Sequence, residues 1–136
     1  MGFLTLTGGL EVIEITDTQI RIKNYVASKC YNPTGGLTSR SPAGIDMNEA
    51  HFTISEVNKF TLIGCDDVAY IEGFQGRNFT SGCVSVCSDS QDVRTGSCSG
   101  SGCCQIAVPK GLKAFDVEMR SMNNHKGVRE DTLAFC

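Results

Sequence analysis

The sequence predicts a small all-β domain of the disulfide-rich extracellular kind, with short strands and few or no helices. Three observations lead there. Apolar residues recur with a period of two along most of the chain, as side chains do on a strand that buries one face. Six of the eight cysteines lie within 40 residues, from Cys65 to Cys104. The 136 residues, 40% hydrophobic and 20% charged with 15 Gly and only 3 Pro, suit one folded unit and exclude a disordered tail, a collagen-like repeat or a coiled coil. No apolar run approaches the ~20 residues that cross a bilayer. A net charge of -3 argues against nucleic acid as a partner.

The elements follow in chain order. Leu10, Val12 and Ile15 mark a first strand, Thr16-Asp17-Thr18 a polar turn, and Ile20 and Ile22 a second strand alternating with Arg21 and Lys23. Residues 31–44, rich in Gly, Pro, Thr and Ser, predict a loop. Met47, Ala50, Ile54 and Val57 fit helical spacing, but Phe52 and Ile54 also alternate, and a strand at Phe52 is the preferred reading. Phe60 and Leu62 face inward on the next strand, which ends at Gly64-Cys65, and another short strand runs through Val68 and Tyr70. The cleanest alternation comes last, with Phe115, Val117 and Met119 inward and Asp116, Glu118 and Arg120 outward.

Such a cysteine density in so short a stretch predicts a disulfide framework formed in an oxidising compartment. The set is Cys30, Cys65, Cys83, Cys87, Cys98, Cys103, Cys104 and Cys136, and eight cysteines permit 105 pairings. The adjacent Cys103 and Cys104 are expected to reach different partners on opposite sides of an extended segment. Small residues around them, Ser97, Ser99, Gly100, Ser101 and Gly102, allow the backbone turns that bring sulfurs together. Each bridge contributes roughly 2–4 kcal/mol, enough for the bridges to dominate stability. Zinc is the rival reading, since Cys83-x3-Cys87 and Cys98-x4-Cys103 come near ligand spacing. It ranks below disulfides because no CxxC occurs and His51 and His125 lie far from the cluster. The sequon Asn78-Phe79-Thr80 marks Asn78 as a glycosylation candidate and also favours export. Met1–Leu10 lacks the basic and apolar regions of a secretory leader, so the sequence predicts a fragment of a longer exported chain.

Catalytic patterns are missing: there is no GxSxG, HExxH or P-loop, and no cofactor or metal is expected. Charge is polarised instead. Residues 1–92 carry a balance of -5, whereas residues 93–129 carry +4 through Arg94, Lys110, Lys113, Arg120, Lys126 and Arg129 against Asp116 and Glu118. A polyanion can use such a segment even though the whole chain is acidic. Ordinary solvated faces are the competing explanation.

Several ordered motifs resemble the plant wall-associated receptor kinase family. Gly76–Cys87, Gly-Arg-Asn-Phe-Thr-Ser-Gly-Cys-Val-Ser-Val-Cys, is similar to that family's GRNFTSGCVSxC, and residues 96–112 to its GSCSGxGCCQxxIPKGL. Asn58–Asp66 resembles NKFTxIGCD, Cys30-Tyr31-Asn32 resembles CYN, and Asn123-Asn124-His125 matches a late NNH. The similarity runs from about Leu10 to Phe135. The family's opening CGxxxIPYPFG has no counterpart, nor do its epidermal-growth-factor-like repeats, its membrane-spanning helix or its kinase. Near the end, Ala134-Phe135 is kept but Cys136 follows it, where the family places a cysteine before that pair.

The resemblance implies a partial ectodomain on the cell-wall face of a single-pass membrane receptor. Residues 1–64 would be the strand portion, like the C-terminal part of a galacturonan-binding domain, and residues 65–136 the cysteine-rich segment, together one folded unit. It implies reversible, non-catalytic binding of acidic cell-wall polysaccharide, namely pectin and oligogalacturonides. Lys110 and Lys113 are then the leading contacts, with Arg94, Arg120, Lys126 and Arg129 behind them. The alternative is a structural or protein-interaction spacer that touches no glycan.

Overall fold

The computed structural model of the chain describes residues 5–6, 10–73, 80–87 and 98–123, and every regular element within them is a strand. In chain order these are β1 (Thr5–Leu6), β2 (Leu10–Ile15), β3 (Ile20–Lys23), β4 (Ser28–Tyr31), β5 (Leu37–Ser41), β6 (Gly44–Asp46), β7 (Lys59–Ile63), β8 (Asp67–Gly73), β9 (Thr80–Ser85), β10 (Cys103–Ala107) and β11 (Ala114–Ser121). The all-β expectation holds. Pairing is antiparallel throughout the sheets: β1-β2-β3, β4-β5, β10-β7 and a four-stranded sheet ordered β6-β11-β8-β9.

Alternation along β7, β8, β10 and β11 builds the core. The inward residues Phe60 and Leu62 of β7 meet Ile106 and Cys104 across the ribbon. Ala69 and Ile71 of β8 stand opposite Met119 and Val117 of β11. Laid together, the two inner faces form a two-layer packing. Leu62, Ala69 and Cys104 are buried against Phe60, Cys83 and Met119, while Ile71, Val108 and Leu112 are buried against Ile54, Phe60, Phe115 and Val117. Phe60 touches both groups and joins them.

Covalent staples replace what so thin a core lacks. Cys65 bonds Cys87, Cys83 bonds Cys104, and Cys98 bonds Cys103. Cys103 and Cys104 thus reach partners on different segments, as side chains from successive strand positions must. Cys30 is disulfide-bonded as well, and no described cysteine is free. Cys136 and the sequon at Asn78 lie outside the described residues.

Two expectations are corrected. The predicted loop over residues 31–44 holds the end of β4, all of β5 and the start of β6, and its turn shrinks to Asn32–Gly36. There Asn32 N donates to Gly36 O (2.8 Å) and Asn32 Oδ1 accepts from Gly36 N (2.7 Å). The sequence concealed β5 because all five of its residues are exposed, so backbone pairing alone forms it and no apolar alternation is required. The strand expected at Phe52 does not form, and neither does the helix. Residues 47–58 run as an irregular segment tied to the core by Met47 N to Lys113 O (2.9 Å) and Ile54 N to Leu112 O (2.7 Å). Phe52, without a neighbouring strand, stays exposed.

Gly82 of β9 shows how tightly the four-stranded sheet is built. A Cβ at this position would meet the Ala69 carbonyl oxygen and lie 2.5 Å from Tyr70 Cβ. Gly82→Ala is expected to cost at least about 1 kcal/mol, because the obstructing atoms belong to the neighbouring strand and cannot swing away. Thermal melting of the variant checks this; an unchanged midpoint contradicts the register of β8 on β9.

Candidate ligand-binding surface

Chemistry on this fold has to be read from where its cations stand. After β10, Pro109 withholds a backbone donor and Gly111 takes φ +75°, the left-handed position that closes a tight turn. Val108 and Leu112 on either side are buried against Ile71. With both flanks held in the core, Lys110 is forced out at the tip of the turn, where it is exposed.

Lys113, three residues on, has a different task. Half-buried, its Nζ donates to the Ala50 carbonyl (2.9 Å), next to the two backbone bonds that hold residues 47–58. Arg120 stands near the far end of β11. About seven residues at ~3.4 Å each place it roughly 24 Å from Lys113, more than two screening lengths at physiological salt. Its guanidinium lies 5.6 Å from the centre of the Tyr70 ring. The same outward face carries Asp116, Glu118 and Glu72, with Asp116 directly opposite Glu72. Glu118 pairs with Arg40 at 3.2 Å. The basic segment of the sequence is therefore not one basic patch: Lys110 and Lys113 stand at one end of β11 and Arg120 near the other, with Asp116 and Glu118 between them. Arg94, Lys126 and Arg129 lie outside the described residues.

A second surface escaped notice in the sequence. The residues of the β7–β10 ribbon that alternate with its buried side chains are Lys59, Thr61 and Ile63 on β7 and Cys103, Gln105 and Ala107 on β10, all exposed except the half-buried Cys103. Thr61 stands opposite Gln105, whose Nε2 donates to the Thr61 hydroxyl (2.9 Å), and Lys59 stands opposite the small Ala107. No acidic residue occurs in either strand. Lys110 follows Ala107 by three residues, so Lys59 and Lys110 share one end of the ribbon, on the order of 10 Å apart. The signal was available, since inward Phe60 and Leu62 imply outward Lys59 and Thr61. A count of charge along the sequence hides Lys59, which sits in the acidic part of the chain.

Fold and surface together define a small disulfide-stapled β module that presents cationic and hydrogen-bonding side chains from a rigid ribbon. Comparison with known proteins gives the family. The chain is 35% identical over 122 residues to wall-associated receptor kinase 2 of Arabidopsis thaliana, covering 89% of this chain and 16% of that protein. It is 36% identical to wall-associated receptor kinase 3 and 31% identical to wall-associated receptor kinase 4 of the same plant, covering 90% and 94% of this chain and 17% of each receptor. The chain is a partial segment of the wall-associated receptor kinase family, and the matched stretch lies in the receptors' ectodomain, not in their kinase region. No family model and no solved structure matches it.

Proposed function

We propose that this chain is a wall-facing receptor segment that binds acidic cell-wall polysaccharide, pectin and its oligogalacturonide fragments, and catalyses no reaction. The observation that carries the reading is its similarity, over 89–94% of its length, to receptors named for association with the wall. The exposed Lys110, anchored by Val108 and Leu112, supports it, because a polymer with a carboxylate on each sugar is held by fixed cations. Extracellular placement on the cell-wall face and a glycan on Asn78 belong to the same proposal, and the disulfides favour an oxidising compartment.

Binding of oligogalacturonide to the oxidised chain is measured across a salt series. Affinity is expected to fall steadily as the Debye length shrinks from ~10 Å near 0.1 M to ~3 Å near 1 M. Lys110→Ala is expected to weaken capture by roughly 2–5-fold, the scale of one exposed ionic contact. Affinity that is indifferent to salt would refute the electrostatic mechanism. Lys113 is a poorer probe, since its substitution also frees the segment around Ala50.

One observation favours the spacer reading. Several described cations are engaged within the chain: Arg40 with Glu118, Lys29 with the Met119 carbonyl, Lys113 with Ala50 and Arg120 with Tyr70. A spacer predicts no capture of pectic fragments of any length.

A further inference from the structure

We infer that the outward face of the β7–β10 ribbon, carried by Lys59, Thr61 and Gln105, is a saccharide-binding strip in which Lys59 takes a uronate carboxylate and the Thr61–Gln105 pair takes sugar hydroxyls. This rests on the polysaccharide-binding reading above and gives it a location that the basic segment of the sequence does not supply.

Lys59 stands apart from the cations around it. Arg21, Lys23 and Arg40 are paired with Glu14, Glu11 and Glu118. Lys29 and Lys113 donate to carbonyls, and Arg120 stacks on a ring. Lys59 is exposed and forms no ion pair or hydrogen bond among the described residues, while Ala107 across from it leaves the ammonium open. A solvated ammonium in a strip without acids is where an incoming carboxylate meets no competitor.

Two residues along β7, on the same face, lies the polar pair. Gln105 gives one amide hydrogen to the Thr61 oxygen at 2.9 Å. That leaves the second amide hydrogen, the amide oxygen and the threonine hydroxyl proton for a ligand, a set of donors and acceptors suited to vicinal hydroxyls. The internal bond fixes both side chains, so less rotamer entropy is lost on binding. Beyond them Ile63, 77% exposed, offers an apolar surface to the C–H face of a sugar ring.

The backing is rigid. Cys104, next to Gln105, is buried and bonded to Cys83 on the facing sheet, and Cys103 is bonded to Cys98. Phe60 and Leu62, which flank Thr61, point into the core. Exposed residues on a strand held this firmly keep their spacing, as a repeating polymer requires.

Titration of the oxidised full chain with an oligogalacturonide and with its fully methyl-esterified form tests the strip. Lys59→Ala is expected to weaken the acidic form about ten-fold, the scale of one charge-assisted hydrogen bond, and to leave the ester little changed. Lys59→Arg restores most of that loss. Gln105→Ala is expected to weaken both forms alike. Lys23→Ala, a distant exposed lysine paired with Glu11, is the control and leaves both unchanged. If the wild-type chain binds and Lys59→Ala either has no effect or matches Lys23→Ala, the strip is wrong and the polysaccharide reading stands. If the wild-type chain captures neither form, both fall. Melting of each variant at the wild-type temperature assigns the losses to contact and not to folding.

Discussion

Replacing Cys83 and Cys104 together by alanine is expected to remove about 3 kcal/mol or more, the largest effect of any bridge among the described residues. The bond spans 21 residues and joins β9 to β10, so breaking it both loosens the unfolded-chain constraint and uncouples the ribbon from the sheet. Cys104 is buried beside Leu62 and Ala69, and truncating it also opens space in the core. Against a total stability of about 5–15 kcal/mol for an ordinary domain, that loss brings the chain close to unfolding. Removing Cys98 and Cys103 instead closes no long loop, since the separation is five residues, and is expected to cost about 2 kcal/mol. Urea unfolding of the two double variants gives the comparison; equal losses would show that loop length and burial do not set the order.

Leu112→Ala is expected to cost about 2–5 kcal/mol, because a side chain only 2% exposed leaves a cavity against Ile71 and Val108 that the surrounding strands cannot close. The consequence reaches the surface. Leu112 O accepts from Ile54 N and anchors one side of the turn that projects Lys110, so the variant also loses the fixed position of that ammonium. Leu112→Met, close in volume, is expected to cost less than about 1.5 kcal/mol and to retain ligand capture. Chemical denaturation alongside binding to an acidic oligosaccharide separates the two; a stable Leu112→Ala variant would mean that the turn is held by its backbone alone.

Much of the fold was legible because its physics is local. The period of two at Phe115–Met119, Phe60–Leu62 and Ile20–Ile22 placed β11, β7 and β3, and the polar turn at Thr16–Thr18 joined β2 to β3. Divergent partners for Cys103 and Cys104 followed from strand geometry. What escaped was set by pairing at a distance. β5 is solvent-facing throughout and polar after Leu37, so no apolar alternation marks it as a strand until β4 lies beside it. Ile54 looked like part of a strand or helix, yet it is half-buried because Leu112, 58 positions later, accepts its N–H. The candidate surface was legible in its chemistry but not in its grouping. Counting charge along the chain united Lys113 with Arg120, which β11 holds at opposite ends, and separated Lys59 from Lys110, which antiparallel pairing brings to one end of the ribbon.

The bridges Cys65–Cys87 and Cys83–Cys104 overlap in sequence, with Cys83 inside the first loop. A force applied across residues 65 and 104 would therefore run from Cys65 through sulfur to Cys87, back along four residues to Cys83, and through sulfur again to Cys104. That path measures about 25 Å, against roughly 130 Å for the fully drawn-out backbone between the same points. About 100 Å of slack is locked away, so residues 65–104 stay short under load for as long as both bridges hold.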